Sequence, residues 1–400
     1  MMPENNYVLT HCHTSYSLLD SCTSYQEMID TAAEHGMKAI AITEHGLPRG
    51  WVNKALYCKQ KGVKFLHGVE IYLTEQLEPK VRDNFHTVLI AKNASGIREL
   101  NELVSKSTDE AHFYYNNRIS LDEFLGISDN IIKTSACLAS PLNKLPHDHP
   151  RYMELAQHYD FLEIQPHDDP EQKAFNAWLV DLAQKIGKPL IVGTDTHSSS
   201  AYKAECRQVL LEARGKNYPD DKFNLTFMSY EELVAAMEKQ GVVSKDVYME
   251  AIENTNRVAD MCDEIEIDTT TKYPISYGSP EHDAEVFEKL VEEKFAEKVA
   301  SGVIAPSETA AFRSAIDEEL RVFKKLGMMG WMLSMAELIG WCKSQGFAIG
   351  PGRGSVGGSR VAYVTGITEV DPERWHTNFA RFCNADRIEI GDKQTLSPSC

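Results

Sequence analysis

Residues 7–43 read YVLTHCHTSYSLLDSCTSYQEMIDTAAEHGMKAIAIT. The stretch opens on a short apolar run, Tyr7-Val8-Leu9-Thr10, and closes on a second one at 38–43. Between them, 24–35 begins with Ser24, a residue type that caps helices, and stops before Gly36. The pattern predicts strand, helix, strand. The same alternation continues downstream. Helices are expected at 51–61 (stopped by Gly62), 97–105 and 172–186, and strands at 64–73, 86–91, 130–134, 161–165 and 189–193. Such alternation implies parallel strands in an α/β layer or barrel.

Residues with metal-binding chemistry gather at the ends of these strands. His11 and His13 follow the first strand at i, i+2 spacing, which turns both side chains to one side of an extended segment. Asp20 lies just beyond. His45 follows 38–43, Glu70 lies within 64–73, His86 heads 86–91, and Cys137 follows 130–134. Asp195 and His197, again at i, i+2, follow 189–193. In a parallel α/β barrel, the C-terminal rim of the strands is where active sites are built. Imidazole, carboxylate and thiolate together suit zinc, iron or manganese better than magnesium alone.

A single histidine pair is weak evidence, because a lone histidine is most often a surface or core residue. His35, His67, His112, His147, His149, His158, His167, His282 and His376 read as ordinary on that ground. Cys137 alone would read as a buried apolar residue. Repetition at successive strand ends is what points to a polynuclear metal site.

The bulk properties set outer bounds. A chain of 400 residues holds two or three ordinary domains. A formal charge of -18 argues against gripping DNA over the whole surface, because phosphate contacts rest on Lys and Arg; a local basic groove stays open. The nine cysteines include no C-x-x-C pair, which counts against a disulfide framework or zinc ribbon and fits a reducing, cytoplasmic setting. The N-terminus has no basic region followed by an apolar run, so no signal peptide is read. No apolar stretch reaches the length of about 18 residues that a membrane span needs. The most apolar segment, 328–342, contains Glu337 and reads as a buried helix.

The second half changes character. Residues 201–265 look helical, 268–283 polar and linker-like, 284–325 helical, and 331–345 helical again. A Gly-rich stretch, 350–359, follows: GPGRGSVGGS. Glycines let backbone amides approach a phosphate, and Ser and Arg add donors. No Gly-Lys-Ser/Thr follows, so this is not a Walker loop.

Two sets of segments carry a family resemblance. LTHCHTSYSLLDS (9–21), AIAITEHG (39–46), HGVEIYL (67–73), FHTVLIAKN (85–93), TSACLAS (134–140) and IVGTDTHSS (191–199) run in the order of the polymerase and histidinol phosphatase (PHP) domain. The form they resemble heads the alpha subunit of bacterial DNA polymerase III. GPGRGSVGGSRVAYVTGITEVDPERWHTNFARFCNADRI (350–388), with the preceding WMLSMAELIGWCKSQG, resembles the start of that family's palm.

The resemblance implies an α/β fold. A distorted (βα)7-type PHP barrel would be followed by a mostly helical segment and the beginning of a Pol beta-like nucleotidyltransferase palm. The implied boundaries are a PHP domain at 1–267 (metal-site core 1–200, helical extension 201–267), a linker at 268–283, palm at 284–392 and a divergent tail at 393–400. It implies two or three divalent metals, zinc, manganese or iron, held by His11, His13, Asp20, His45, Glu70, His86, Cys137, Asp195 and His197. Glu70, Asp195 and His197 would be central to catalysis. One departure is Glu44, where the family more often has Asp; Glu44 is outside the nine and carries little weight.

The implied chemistry is metal-assisted phosphoester hydrolysis, with the 3′ end of a DNA strand as substrate in a 3′–5′ exonuclease. In the palm, Gly354 and Ser355, with Arg353, Gly358 and Ser359, would contact the incoming deoxynucleoside triphosphate. The resemblance stops near Asp392, which matches only the first of the family's Pro-Asp-x-Asp-x-Asp aspartates. Those later aspartates hold the palm magnesium ions, so polymerisation by these residues alone is not expected. A truncated product, one half of a split polymerase completed by a second chain, a free-standing exonuclease, or an intein junction at Cys400 would each fit. Two other readings are a small-molecule phosphatase of the histidinol phosphatase kind and a non-catalytic scaffold.

Overall fold

The computed structural model describes residues 6–213, 223–270 and 272–384 of the chain. Asp392, Cys400 and the tail expected at 393–400 lie outside the described residues. The chain divides into two compact units, Met1–Asp268 and Thr269–Cys400.

The first unit alternates strands and helices because the sequence carries the stop and start signals locally. Helix α1 (Tyr25–Glu34) opens with a full capping box: the Ser24 hydroxyl accepts from Glu27 N, and the Glu27 carboxylate accepts from Ser24 N. It is followed by β1 (Ala39–Ala41) and α2 (Trp51–Lys61), which ends at Gly62 in the left-handed region, φ 70°. Strands β2 (Lys64–Leu66), β3 (Gly68–Thr74) and β4 (Phe85–Ala91) come next. Then come α3 (Ala94–Ser107), β5 (Arg118–Ser120), α4 (Leu121–Leu125) and β6 (Ile131–Thr134). After α5 (Pro141–Lys144), α6 (Tyr152–His158) and β7 (Leu162–Ile164), the long α7 (Pro170–Ile186) leads into β8 (Leu190–Val192). Helices α8 (Ala201–Ala213), α9 (Tyr230–Gln240) and α10 (Lys245–Met261) complete the unit.

The strands close into a distorted barrel. Parallel pairs β1–β2 and β7–β8 flank a four-stranded sheet of order β5-β3-β4-β6. Single bridges join the remaining seams: Leu9 to Ile40, His45 to Glu70, Thr134 to Phe161 and Cys12 to Thr196. The last of these closes the ring. Its staves are the 7–13 segment, β1, β2 with β3, β4, β6, β7 and β8.

Two sequence expectations need correction. The strand expected at 64–73 breaks at His67, so that β2 pairs with β1 while β3 pairs with β4 and β5. The strands are also not all parallel. β4 runs antiparallel to both β3 and β6. The reason is the connection: 75–84 contains no helix, and a parallel return would need a crossover.

The second unit is helical in its described part. α11 (Pro280–Ala300) starts inside the stretch expected to be linker, where Ser279 caps it and Pro280 takes the first turn. The helical block expected at 284–325 is two helices, α11 and α12 (Thr309–Lys325). α13 (Met329–Ser344) and the short α14 (Arg360–Val364) pack with them around Phe287, Phe312, Ile316, Phe323, Met332 and Val361. The apolar segment 328–342 is not a wholly buried helix. Met329, Met332 and Leu333 are in the core, but Leu338 is 53% and Trp341 55% exposed. No described helix is long and apolar enough to cross a membrane.

Candidate metal centre

All nine side chains singled out in the sequence converge at one end of the barrel. The bridge between Cys12 and Thr196 does most of the alignment. His13 N donates to Thr196 O at 2.7 Å and Thr196 N to His11 O at 3.2 Å. The His11/His13 and Asp195/His197 pairs therefore stand side by side and emerge on the same face. The parallel stretches present their C-terminal ends here. β4 presents its N-terminal end, and its reversed direction is what brings His86 into the cluster.

Glu70 is the hub. One carboxylate oxygen lies 2.7 Å from His86 Nδ1 and 3.4 Å from His11 Nε2; the other lies 2.5 Å from His45 Nδ1 and 3.6 Å from His13 Nε2. Asp195 Oδ1 is 3.2 Å from His13 Nε2 and 3.4 Å from His11 Nε2. Asp20 Oδ2 sits between His45 Nε2 (2.9 Å) and His197 Nε2 (3.0 Å). Cys137 Sγ is 3.6 Å from His86 Nδ1. Three sets of ligand atoms fall within 4.8 Å of one another: His13, His45 and His197; His11, His13 and Glu70; Glu70, His86 and Cys137.

This donor set fits divalent metal. His11 Nε2, His13 Nε2, His45 Nδ1, both Glu70 oxygens and Asp195 Oδ1 are buried with no hydrogen-bond partner among the described residues. The short contacts around Glu70 meet distance but not hydrogen-bond geometry; lone pairs converge on shared space. Buried polar atoms are otherwise almost always satisfied. The electrostatics point the same way. Burial opposes ionisation of Asp20, Glu70 and Asp195, yet the surrounding imidazoles hold all three carboxyls well below their usual range. Burial likewise disfavours charge on His45, but Glu70 and Asp20 lift it to about 10. His13 is pushed down to about 3 by burial and by His45 and His197. A metal would take the place of protons on such ligands.

Strained backbone clusters at the same place. Leu19 (φ 64°), next to Asp20, Ala136 (φ 55°), next to Cys137, and Asp195 itself (φ 48°) occupy the left-handed region that side chains disfavour. Such residues cost about 1–3 kcal/mol each and persist where surrounding structure imposes them.

Sequence reading missed the residues that orient the cluster. Glu163, fully buried on β7, accepts from His11 Nδ1 at 2.7 Å, from Gln165 Nε2 at 2.9 Å and from Thr134 Oγ1 at 3.1 Å. A carboxylate only accepts, so the proton sits on Nδ1 and Nε2 is aimed at the cluster. Gly193 makes room: a Cβ there would stand 2.0 Å from Glu163 Oε1.

Glu44 was given little weight and has more. It accepts from Thr14 N, Ser17 Oγ and Lys54 Nζ, the last two at 2.6 Å, in a buried pair with Lys54. Ser17 Oγ lies 3.1 Å from His13 Nδ1, so Glu44 acts on His13 through Ser17. Burial raises the Glu44 carboxyl, but Lys54 and the hydroxyls bring it down to about 2. Arg207, on α8, donates to Asp20 Oδ1 at 2.8 Å and to its carbonyl at 2.7 Å. A carboxylate beside a ligand histidine and an alternating 163, 165, 167 face were the only sequence signals for these residues.

In the second unit, the Gly-rich stretch divides. Arg353, Gly354 and Ser355 are exposed. Gly358 and Ser359 are buried and make contacts within the unit. A Cβ on Gly358 would meet Asn378 O at 2.6 Å. Ser359 caps α14 and donates to Glu319 Oε2 at 2.7 Å. That Glu319 also accepts from Arg360 N and Val361 N, so a carboxylate already fills the anion position at this helix start.

Residues 10–166 match the PHP domain family, and residues 285–394 match the bacterial DNA polymerase III alpha NTPase domain. The chain thus joins a PHP domain to a polymerase-type segment. Along nearly its whole length it is homologous to the N-terminal part of DNA polymerase III alpha subunits. The Treponema pallidum subunit is 30% identical over 98% of this chain and 34% of its own length. That of Helicobacter pylori J99 is 29% identical over 98% of this chain and 35% of its own, and that of Aquifex aeolicus 29% over 97% and 36%. The chain spans about a third of the length of these relatives.

Proposed function

We propose that the first unit is a metal-dependent phosphoesterase that removes nucleotides from the 3′ end of a DNA strand, a 3′–5′ exonuclease within a replicative polymerase. The observation that carries this reading is the convergence of nine metal-compatible side chains, five of which (His11, His13, His45, Glu70 and Asp195) hold buried atoms with no hydrogen-bond partner among the described residues. The ligands are His11, His13, Asp20, His45, Glu70, His86, Cys137, Asp195 and His197. Two or three zinc, manganese or iron ions are the expected occupants, given the mixed imidazole, carboxylate and thiolate set. When bound, such ions lower the pKa of a water and clamp phosphate oxygens. The chain's own residues do the rest. Glu163 and Ser17 fix the ring orientation of His11 and His13, Arg207 holds Asp20, and Glu70 and Asp195, with His197, bracket the reacting centre.

The polymerase III alpha names of the relatives support the 3′ end of a DNA strand as the substrate proposed. Deoxynucleoside triphosphate binding through Arg353, Gly354 and Ser355, with palm magnesium, belongs to the same proposal at the level of the longer protein. Hydrolysis at the metal cluster is the activity proposed for the first unit.

The test is hydrolysis of a 3′-labelled primer with manganese or zinc, comparing wild type with Asp195→Asn. Chelator-sensitive 3′–5′ shortening, lost in the variant, is expected. An inactive wild type with metals demonstrably bound would leave a structural role for the domain.

A further inference from the structure

His167 reads as ordinary in the sequence, yet its setting is not. It lies beyond the C-terminal end of β7, at the rim where the metal cluster is built. It is 4% exposed, and among the described residues it is the only buried histidine whose two ring nitrogens both lack a hydrogen-bond partner. The ring is held by packing instead, stacked on Phe223 with centroids 4.7 Å apart and planes 13° apart. Its carbonyl is anchored by Gln240 Nε2 at 2.7 Å. It belongs to the alternating face 163, 165, 167, whose first member touches ligand His11 and whose second touches the first. The charges that act on its ring come from Asp195, His11 and His197 of the cluster and from Asp169, two residues further along the chain. Burial holds the imidazole down to about 4, so it is neutral, with one N–H to donate and one lone pair. A buried donor with no partner among the described residues calls for one from elsewhere.

Resting on the phosphoesterase reading above, we propose that His167 is a substrate-binding residue of this site, its neutral imidazole donating a hydrogen bond to a phosphoryl oxygen of the phosphoester. It is not a metal ligand. It adds an uncharged donor beside an otherwise ligand-saturated cluster and contributes to holding the phosphate group rather than to holding metal.

The test uses His167→Phe on the metal-loaded full chain, with inorganic phosphate as the probe. Phenylalanine keeps the ring volume and the Phe223 stack while removing both nitrogens. Phosphate affinity is measured by titration calorimetry, metal content by elemental analysis, and stability by thermal melt. The expected result is unchanged metal content, an equal or higher Tm, and phosphate binding weaker by roughly ten- to a hundredfold, as for loss of one charge-assisted hydrogen bond. A partial return in His167→Gln, which restores a donor, would add support. Unchanged phosphate affinity in the Phe variant overturns the role of His167 and leaves the phosphoesterase reading standing. Loss of metal in the variant overturns it in favour of a cluster-supporting role. A wild type that takes up metal but no phosphate overturns both readings together.

Discussion

Glu163 Oε1 lies 2.7 Å from His11 Nδ1, although 152 residues separate them in the chain. The contact fixes which nitrogen of a cluster histidine carries the proton. Glu163→Gln can still accept through its amide oxygen, but without the charge. Loss of such outer partners typically lowers metal affinity 10–100-fold, and about that drop is expected in a competitive chelator titration. Gly193→Ala, whose Cβ would displace the same carboxylate, is expected to give the same phenotype. Wild-type affinity in both variants would remove Glu163 from the site.

The buried Glu44–Lys54 pair supports stability as well as His13. Lys54→Met strands a buried carboxylate, and breaking such a pair typically costs about 3–5 kcal/mol. Urea denaturation is expected to show that loss for Lys54→Met and a smaller one for the Glu44→Gln, Lys54→Met double variant. Equal losses would mean the two side chains are not coupled.

Glu44 also sets a pH dependence. Its carboxyl is lowered from 4.5 to about 2 in the folded chain, so its stabilising contribution is complete above 4.5. It is lost as pH falls from 4.5 through 2, because the unfolded state then binds the proton more readily. The stability gap between wild type and Glu44→Gln is expected to shrink across that window in acid denaturation. A gap independent of pH there would show that the carboxylate charge contributes nothing.

Removal of metal from the first unit leaves four carboxylates, the buried Glu70 and Glu163 and the half-buried Asp20 and Asp195, around five imidazoles without their cations. Chelation is expected to lower the Tm, and readdition of zinc or manganese to restore it, by mass action on the folded state. Asp195→Asn is expected to start from a lower metal-loaded Tm and to shift less on chelation. A chelator-indifferent melt in wild type would argue that no metal is bound.

In the second unit, Ser359→Ala removes the α14 cap and one donor to Glu319. Cap losses run about 0.5–2 kcal/mol, and a destabilisation in that range is expected by urea denaturation. Phosphoester hydrolysis by the first unit is expected to stay at the wild-type level. A loss of hydrolysis would mean that Ser359 matters beyond its own unit.

Much of the site was legible locally. The helix cap at Ser24, stop glycines at Gly36 and Gly62, and the two i, i+2 pairs of metal-compatible residues are signals confined to a few residues, and each appears in the structure. His86 was legible as a ligand candidate but not the reversal of β4 that delivers it, because strand direction depends on a connection and on partners elsewhere. The burial of Gly358 and Ser359 was not legible, because a Gly-rich loop reads the same in sequence whether or not a carboxylate such as Glu319 lies against it.

The sequence by itself determined the residue chemistry of this protein: nine metal-compatible side chains at strand ends, the α/β alternation that carries them, and a Gly-rich segment in a helical second half. These are properties of composition and short-range spacing, which periodicity and caps express without reference to the rest of the chain. The tertiary structure decided what surrounds those side chains: Glu163 on His11, Glu44 and Ser17 on His13, Arg207 on Asp20, and a buried imidazole at His167 with neither nitrogen paired among the described residues. Most of these partners lie far apart along the chain. Only closure of the barrel and packing of the helices against it bring them within hydrogen-bond reach.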